Sequence, residues 1–125
     1  MPTILFLCVK NSARSQIAEG LARALAPAGY DFLSAGSRPG SINPLAITVL
    51  AEQDIDIAQQ RAKGLEAVAL SNVDMVVTLC AEEVCPAVPG SVRRLHWGLP
   101  DPHTLEDFRS VRDELRRRLP ALWSQ

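Results

Sequence analysis

The chain predicts an α/β fold, a three-layer sandwich with a four-stranded parallel sheet and helices on both faces. Apolar runs of strand length alternate with stretches of helical periodicity, the pattern that buries a parallel sheet between helices. The third strand candidate, Met75 to Leu79, is nearly continuous in apolar residues rather than alternating, as a strand covered on both faces must be. The 125 residues fit one domain, 1–125, large enough for a real core.

The elements follow in order. Residues 3–8, containing Ile4-Leu5-Phe6-Leu7, read as a buried first strand. From Ser15, the apolar stripe Ile17, Ala18, Leu21, Ala22 and Leu25 marks a helix, ended by Pro27 and Gly29. Tyr30 to Ser34 reads as the second strand, closed by Gly36 and the loop 37–42. Asn43-Pro44 has the form of an N-cap with proline at N1, opening a helix through Leu45, Ile47 and Leu50. A shorter helix is expected over 63–71, and Arg93 to Trp97 gives the fourth strand. Thr104 and Asp107 form a capping box for a last helix with Phe108, Val111, Leu115 and Leu119 on one face. Arg116-Arg117-Arg118 then makes a solvated last turn that complements the helix dipole.

Composition narrows the function classes. A net charge of −1 gives no general attraction to nucleic acid or an anionic membrane. No apolar stretch approaches the roughly 20 residues of a bilayer span, and the N-terminus lacks the pattern of a secretory signal. A cytoplasmic location is therefore expected. Three cysteines are an odd count for a disulfide framework and read better as catalytic or metal-binding thiols.

Chemistry concentrates in Cys8-Val9-Lys10-Asn11-Ser12-Ala13-Arg14, with Ser15 next, between the first strand and the first helix. A strand-loop-helix of this kind directs main-chain N–H groups of Val9, Lys10, Asn11, Ser12, Ala13 and Arg14 at one point. A helix N-terminus carries partial positive charge and unpaired donors, so it binds tetrahedral oxyanions. Arg14 adds a planar fork for two anion oxygens. The same field favours thiolate, the nucleophilic form, at Cys8, and Ser15 is placed to donate to the sulfur. One loop can thus bind an oxyanion and attack it.

Cys80 and Cys85 follow the third strand at short spacing, the pattern of a redox pair. With His96 they would supply only three ligands, one short of a structural zinc site, so no metal is expected. Asp101-Pro102 follows the last strand, and a carboxyl at the strand-end face can protonate a leaving oxygen. His96 reads as packed or hydrogen-bonded rather than catalytic.

Together these residues resemble the arsenate reductases built on the low-molecular-weight tyrosine phosphatase fold. The resemblance runs through Cys8-x5-Arg14-Ser15-Gln16-Ile17-Ala18-Glu19-Gly20, Ser34-Ala35-Gly36, Val77-Thr78-Leu79-Cys80, Cys85-Pro86, His96-Trp97-Gly98, Asp101-Pro102 and the segment 108–114. It implies a three-thiol relay. Cys8 attacks arsenate, with Asp101 as proton donor. Cys80 then attacks Cys8 and releases arsenite. Cys85 attacks Cys80, leaving Cys80–Cys85 for a dithiol protein, thioredoxin, to reduce. The relay calls for no cofactor, and a monomer is expected.

Two departures from the family pattern matter. Four residues separate Cys80 from Cys85, fewer than in the thioredoxin-linked members. Glutaredoxin with glutathione, or another low-molecular-weight thiol, is therefore an alternative reductant. If 80–85 are helical when reduced, a rise of about 1.5 Å per residue holds the two Cα atoms roughly 8–9 Å apart, beyond the about 7 Å a disulfide tolerates, so that segment must unwind or already be a loop. Some members of the family bind potassium beside the anion loop, and Asn11, Glu19 and Ser34 match that site, but Lys63 falls where an acidic ligand is found and its ammonium can replace the ion, so no potassium requirement is expected. A phosphatase would use the same Cys8, Arg14 and Asp101. It leaves the later cysteines unexplained, and His103-Thr104 stand where paired tyrosines select its substrates. A non-catalytic oxyanion-binding or redox-sensing module is the other alternative.

Overall fold

The structure is a computed structural model that describes residues 2–81 and 92–123. Cys85, and the proposed rearrangement between Cys80 and Cys85, lie outside the described residues.

Four strands, β1 (Thr3–Cys8), β2 (Asp31–Gly36), β3 (Met75–Thr78) and β4 (Arg93–His96), form one sheet in the order β2-β1-β3-β4. Every pairing is parallel. Successive side chains of a strand point to opposite faces, and the core divides accordingly. Ile4, Phe6, Phe32, Met75 and Val77 face the helices α1 (Arg14–Leu25), α2 (Pro44–Ala51) and α3 (Leu105–Arg118). Leu5, Leu7, Ala35 and Val76 face the other way, against Val68 and Val73.

The helices form where short-range signals place them. Asn43 caps α2, its side chain accepting from Leu45 N at 2.9 Å. Thr104 and Asp107 close the capping box of α3 in both directions. Ile17, Ala18, Leu21 and Ala22 of α1 are fully buried, at about 1.5–3 kcal/mol for each large apolar side chain. Two readings shift. The buried face of α2 is Ala46, Val49 and Leu50, with Leu45 and Ile47 at its margin. The expected helix over 63–71 is instead two 3₁₀ turns, Leu65–Ala67 and Leu70–Asn72. Gly36 N donates to Lys63 O at 3.0 Å, and Gly64 bridges Gly36 in parallel. This pairing holds the backbone extended where a helix would begin, and Val68, extended between the turns, drops into the second core layer.

Beyond α3, the 3₁₀ segment Leu119–Leu122 buries Leu119 and Leu122. Trp123 then packs on Phe32 and Tyr30, with ring centroids 6.1 and 6.4 Å apart. Of the basic run, Arg117 and Arg118 pair with Glu114 and Arg116 donates to Gln53 at 2.8 Å.

Glu52, just past α2, ties that helix to α3. It accepts from Arg109 at 2.7 Å and from Arg112 at 2.7 Å, while Arg112 also donates to Val49 O at 3.0 Å. Hydrogen bonds from Arg109 and then Arg112 lower its carboxyl from the ordinary 4.5 to about 2. A carboxyl depressed by folding stabilises the native state above its unfolded value, and that contribution is lost as pH falls through the folded one. Urea midpoints should therefore decline from pH 4.5 toward pH 2. Glu52→Gln should flatten that decline, and an equal slope in the variant would remove Glu52 from the acid response.

Candidate active site

Cys8 ends β1, and the seven-residue turn it opens closes on the first turn of α1. Asn43 caps α2 and Thr104 caps α3, but α1 begins at Ala13–Arg14 with no side-chain cap and no acidic residue in its first turn. Its leading N–H groups are left for whatever sits in the loop.

The loop carbonyls are drawn outward. Arg38 N donates to Val9 O at 2.9 Å, Gly40 N to Lys10 O at 3.0 Å and Asn43 N to Ser12 O at 2.9 Å. Gln16 Nε2 holds Asn11 O at 3.0 Å. In a planar trans peptide each carbonyl opposes the next residue's N–H, so the N–H edge of the loop faces inward. Asn11 makes the tight bend at φ 52°, a left-handed conformation that asparagine tolerates better than most residues. Its side chain turns away from the cavity into the protein, fully buried.

That buried amide is tied to the thiol. Asn11 Nδ2 donates to Ser15 Oγ at 2.8 Å, and Ser15 Oγ lies 2.8 Å from Cys8 Sγ. Asn11 engages a lone pair of Ser15 Oγ and leaves its one proton for the sulfur, which as a thiolate can only accept. Cys8 is a free, buried thiol.

Arg14 is fixed from two other segments. Its Nη1 donates to Leu99 O at 2.8 Å and lies 3.5 Å from Leu79 O, and Nη2 lies 3.8 Å from Asp101 Oδ1. Cys8, Val9, Lys10, Ser12, Ala13, Arg14 and Asp101 line one cavity of about 220 Å³, large enough for a tetrahedral oxyanion. Asp101 is half exposed at its rim.

Cys80 reaches the same end of the sheet, because Leu79 N donates to Leu7 O at 2.9 Å. Cys80 is buried and disulfide-bonded. Gly98 lies against this segment: a Cβ there would come 3.4 Å from Cys80 O. His96 Nδ1 pairs with Thr78 Oγ1 at 2.6 Å, a local bond beside the strand end. Behind the loop, buried Glu19 accepts from Ser34, pairs with Arg23 at 2.8 Å and has the Lys63 ammonium at 3.8 Å. Lys63 thus brings a cation to this carboxylate. Sequence reasoning gave Asn43 only a capping role and assigned no part in the site to Gln16, Arg38, Gly40 or the Leu79 and Leu99 carbonyls. Main-chain acceptors carry no residue signature, and a buried glutamine inside a helix resembles any other helical residue.

A uncapped helix N-terminus, a buried cysteine and a clamped arginine around a small cavity agree with the comparison of the whole sequence. Residues 3–125 match the family model described as low molecular weight phosphotyrosine protein phosphatase. The chain belongs to this family. It is 43% identical over 121 residues to the arsenate reductase of Bacillus cereus (strain 03BB102), covering 94% of this chain and 90% of that protein. A solved structure described as an arsenate reductase in the phosphate binding state superposes with a TM-score of 0.88 at 33% identity, over 98% of this chain and 96% of the other. A thioredoxin-dependent arsenate reductase of Corynebacterium glutamicum superposes at 0.80 and 33% identity, over 98% of this chain and 60% of that one. The family fold is thus a four-stranded parallel sheet with helices, as the sequence pattern predicts.

Gly36 sits directly beneath the loop. A Cβ there would approach Val9 O to 2.4 Å and Asn11 N to 2.8 Å; both are backbone atoms, and Val9 O is tied to Arg38 N. At Gly40 a Cβ meets nothing within 4 Å. Gly36→Ala should therefore weaken inorganic phosphate binding about tenfold or more, given an overpacking cost of about 1–3 kcal/mol. Gly40→Ala should bind as the parent does. Calorimetric titration checks both, and equal affinities in the two variants would refute the close-packing argument.

Proposed function

We propose that this protein reduces arsenate to arsenite through Cys8, Cys80 and Cys85. The observation that carries the reading is the free Cys8 thiol at the base of an oxyanion-sized cavity, bonded to Ser15 and flanked by Arg14 and Asp101, with a second cysteine at the same strand end.

Val9, Lys10, Asn11, Ser12, Ala13 and Arg14 bind arsenate through main-chain N–H groups and the guanidinium. Cys8 thiolate forms a sulfur–arsenic bond, and a protonated oxygen leaves as water with the proton from Asp101. Cys80 thiolate then attacks the Cys8 sulfur. The electron pair of the sulfur–arsenic bond passes to arsenic, which departs as arsenite, and a Cys8–Cys80 disulfide remains. Cys85 attacks Cys80 and restores Cys8 as thiolate. Thioredoxin, the reductant in the description of the Corynebacterium relative, reduces the final disulfide.

The test is arsenite formation from arsenate with the thioredoxin couple and, separately, with glutaredoxin and glutathione. Turnover with thioredoxin is expected. Hydrolysis of p-nitrophenyl phosphate without any arsenite would replace this reading with a phosphatase.

Cys8→Ser should abolish turnover, because a hydroxyl is far less ionised than a thiol and cannot enter a disulfide. Arg14→Lys should cost about 10²-fold in kcat, the scale for losing an oxyanion donor. Cys80→Ser should stall with arsenic on Cys8, visible by mass spectrometry after arsenate treatment. Steady multiple turnover by Cys80→Ser with thioredoxin would exclude the relay.

A further inference from the structure

The hydrogen bond that reaches Cys8 does not begin at Asn11. Gln60 Nε2 donates to Gln16 Oε1 at 2.6 Å and lies 3.2 Å from Gln16 O. Gln16 Nε2 donates to Asn11 Oδ1 at 2.9 Å. Asn11 Nδ2 donates to Ser15 Oγ, which stands beside Cys8. Each amide accepts at its oxygen and donates from its nitrogen, so the three amide bonds run in one direction, toward Ser15, and a Cys8 thiolate can only accept the fourth from the Ser15 hydroxyl.

Main-chain groups fix that direction. Lys63 N can only donate, and it donates to Asn11 Oδ1 at 2.9 Å; the Asn11 nitrogen must therefore face Ser15. Gln16 Nε2 also meets two carbonyls, Asn11 O at 3.0 Å and Arg61 O at 2.8 Å, so it must be the nitrogen that faces them. Its oxygen is left for a donor, which Gln60 supplies. Aligned hydrogen bonds polarise one another in a low-dielectric interior. Gln16, Asn11 and Ser15 are all fully buried. Gln60 is partly exposed and opens onto a groove of about 650 Å³.

We propose that Gln60 is a positioning residue for Cys8, acting through Gln16, Asn11 and Ser15 to fix the orientation and strength of the hydrogen bond that the sulfur receives. Without its donor, the buried Gln16 oxygen loses its partner. The Gln16 amide is then free to turn, and its hold on both Asn11 Oδ1 and Asn11 O loosens. The proposal rests on Cys8 as nucleophile. Its test uses alkylation of Cys8, which does not depend on arsenate being the substrate.

The groove around Gln60 holds three basic groups, Arg23, Arg61 and Lys63, and three acidic ones, Glu19, Asp54 and Asp56. A neutral substitution leaves that balance intact. The experiment compares the parent protein with Gln60→Met, which has no donor, and Gln60→Lys, which keeps one. Iodoacetamide alkylation of Cys8 is followed by peptide mass spectrometry across pH, in about 0.5 M salt to screen the added lysine charge. The Gln60→Met midpoint should rise by about 0.5 pH, the scale of one partly lost hydrogen bond. Gln60→Lys should stay with the parent. An unchanged midpoint in Gln60→Met, or equal shifts in both variants, overturns the proposal.

A second measurement needs no variant. Alkylating Cys8 in the ¹⁵N-labelled parent should move the side-chain amide resonances of Gln16 and Gln60 more than those of Gln59, which lines the same groove. Equal movement of all three overturns it as well.

Discussion

Arg38, Gly40 and Asn43 hold the carbonyls of Val9, Lys10 and Ser12 away from the cavity, and the rest of the site depends on that constraint. A loop of this length, left to itself, would present carbonyl dipoles and N–H dipoles to the centre in a mixture. Tied from behind, it presents N–H groups. The uncapped start of α1 adds donors of the same sign. The cavity therefore prefers an anion before any charged side chain is counted, and Arg14 adds a net charge to a field the backbone has already set.

The same constraint explains what cannot change. Gly36 lies so close beneath Val9 and Asn11 that a Cβ would clash with both, because β2 pairs with β1 to its last residue, Cys8 opposite Gly36. The loop is therefore built on the sheet register. Arg14 is anchored to carbonyls that follow β3 and β4, so its guanidinium direction also follows strand order. Asp101, by contrast, meets Arg14 in a 3.8 Å ion pair and stands half exposed at the rim, where its carboxyl is open to solvent.

Behind the loop, two systems of buried polarity meet at Lys63, whose main-chain N–H reaches Asn11 and whose ammonium reaches Glu19. Glu19 is a charged centre, balanced by Arg23 and Lys63. The amide series from Gln60 to Ser15 is neutral and directional. Burying a charge demands a partner, and burying an amide demands both a donor and an acceptor. The first demand explains a lysine beside Glu19. The second explains why two glutamines and an asparagine occur together where apolar packing would otherwise be simpler.

Much of the fold is legible in the chain because the signals are local. The Asn43 cap and the Thr104–Asp107 box act over two or three residues, and the α1 stripe repeats within one helix. Residues 63–71 read as helix for the same local reason, yet Gly64 answers to Gly36 across the sheet edge. The inward face of α2 was similarly decided by α3 and Arg112, which no local pattern encodes.

The sequence by itself determined the chemistry of the loop: cysteine, arginine and serine at fixed spacing between a strand and a helix. Only the tertiary structure decided how those groups are aimed. Arg14 meets Leu99 across 85 residues, and Gln16 meets Gln60 across 44. Such bonds join carbonyls and amides that nearly every residue offers, so the partner is chosen by chain geometry rather than by residue type. Proximity in space, set by strand order and register, is what turned a list of reactive side chains into a directed site.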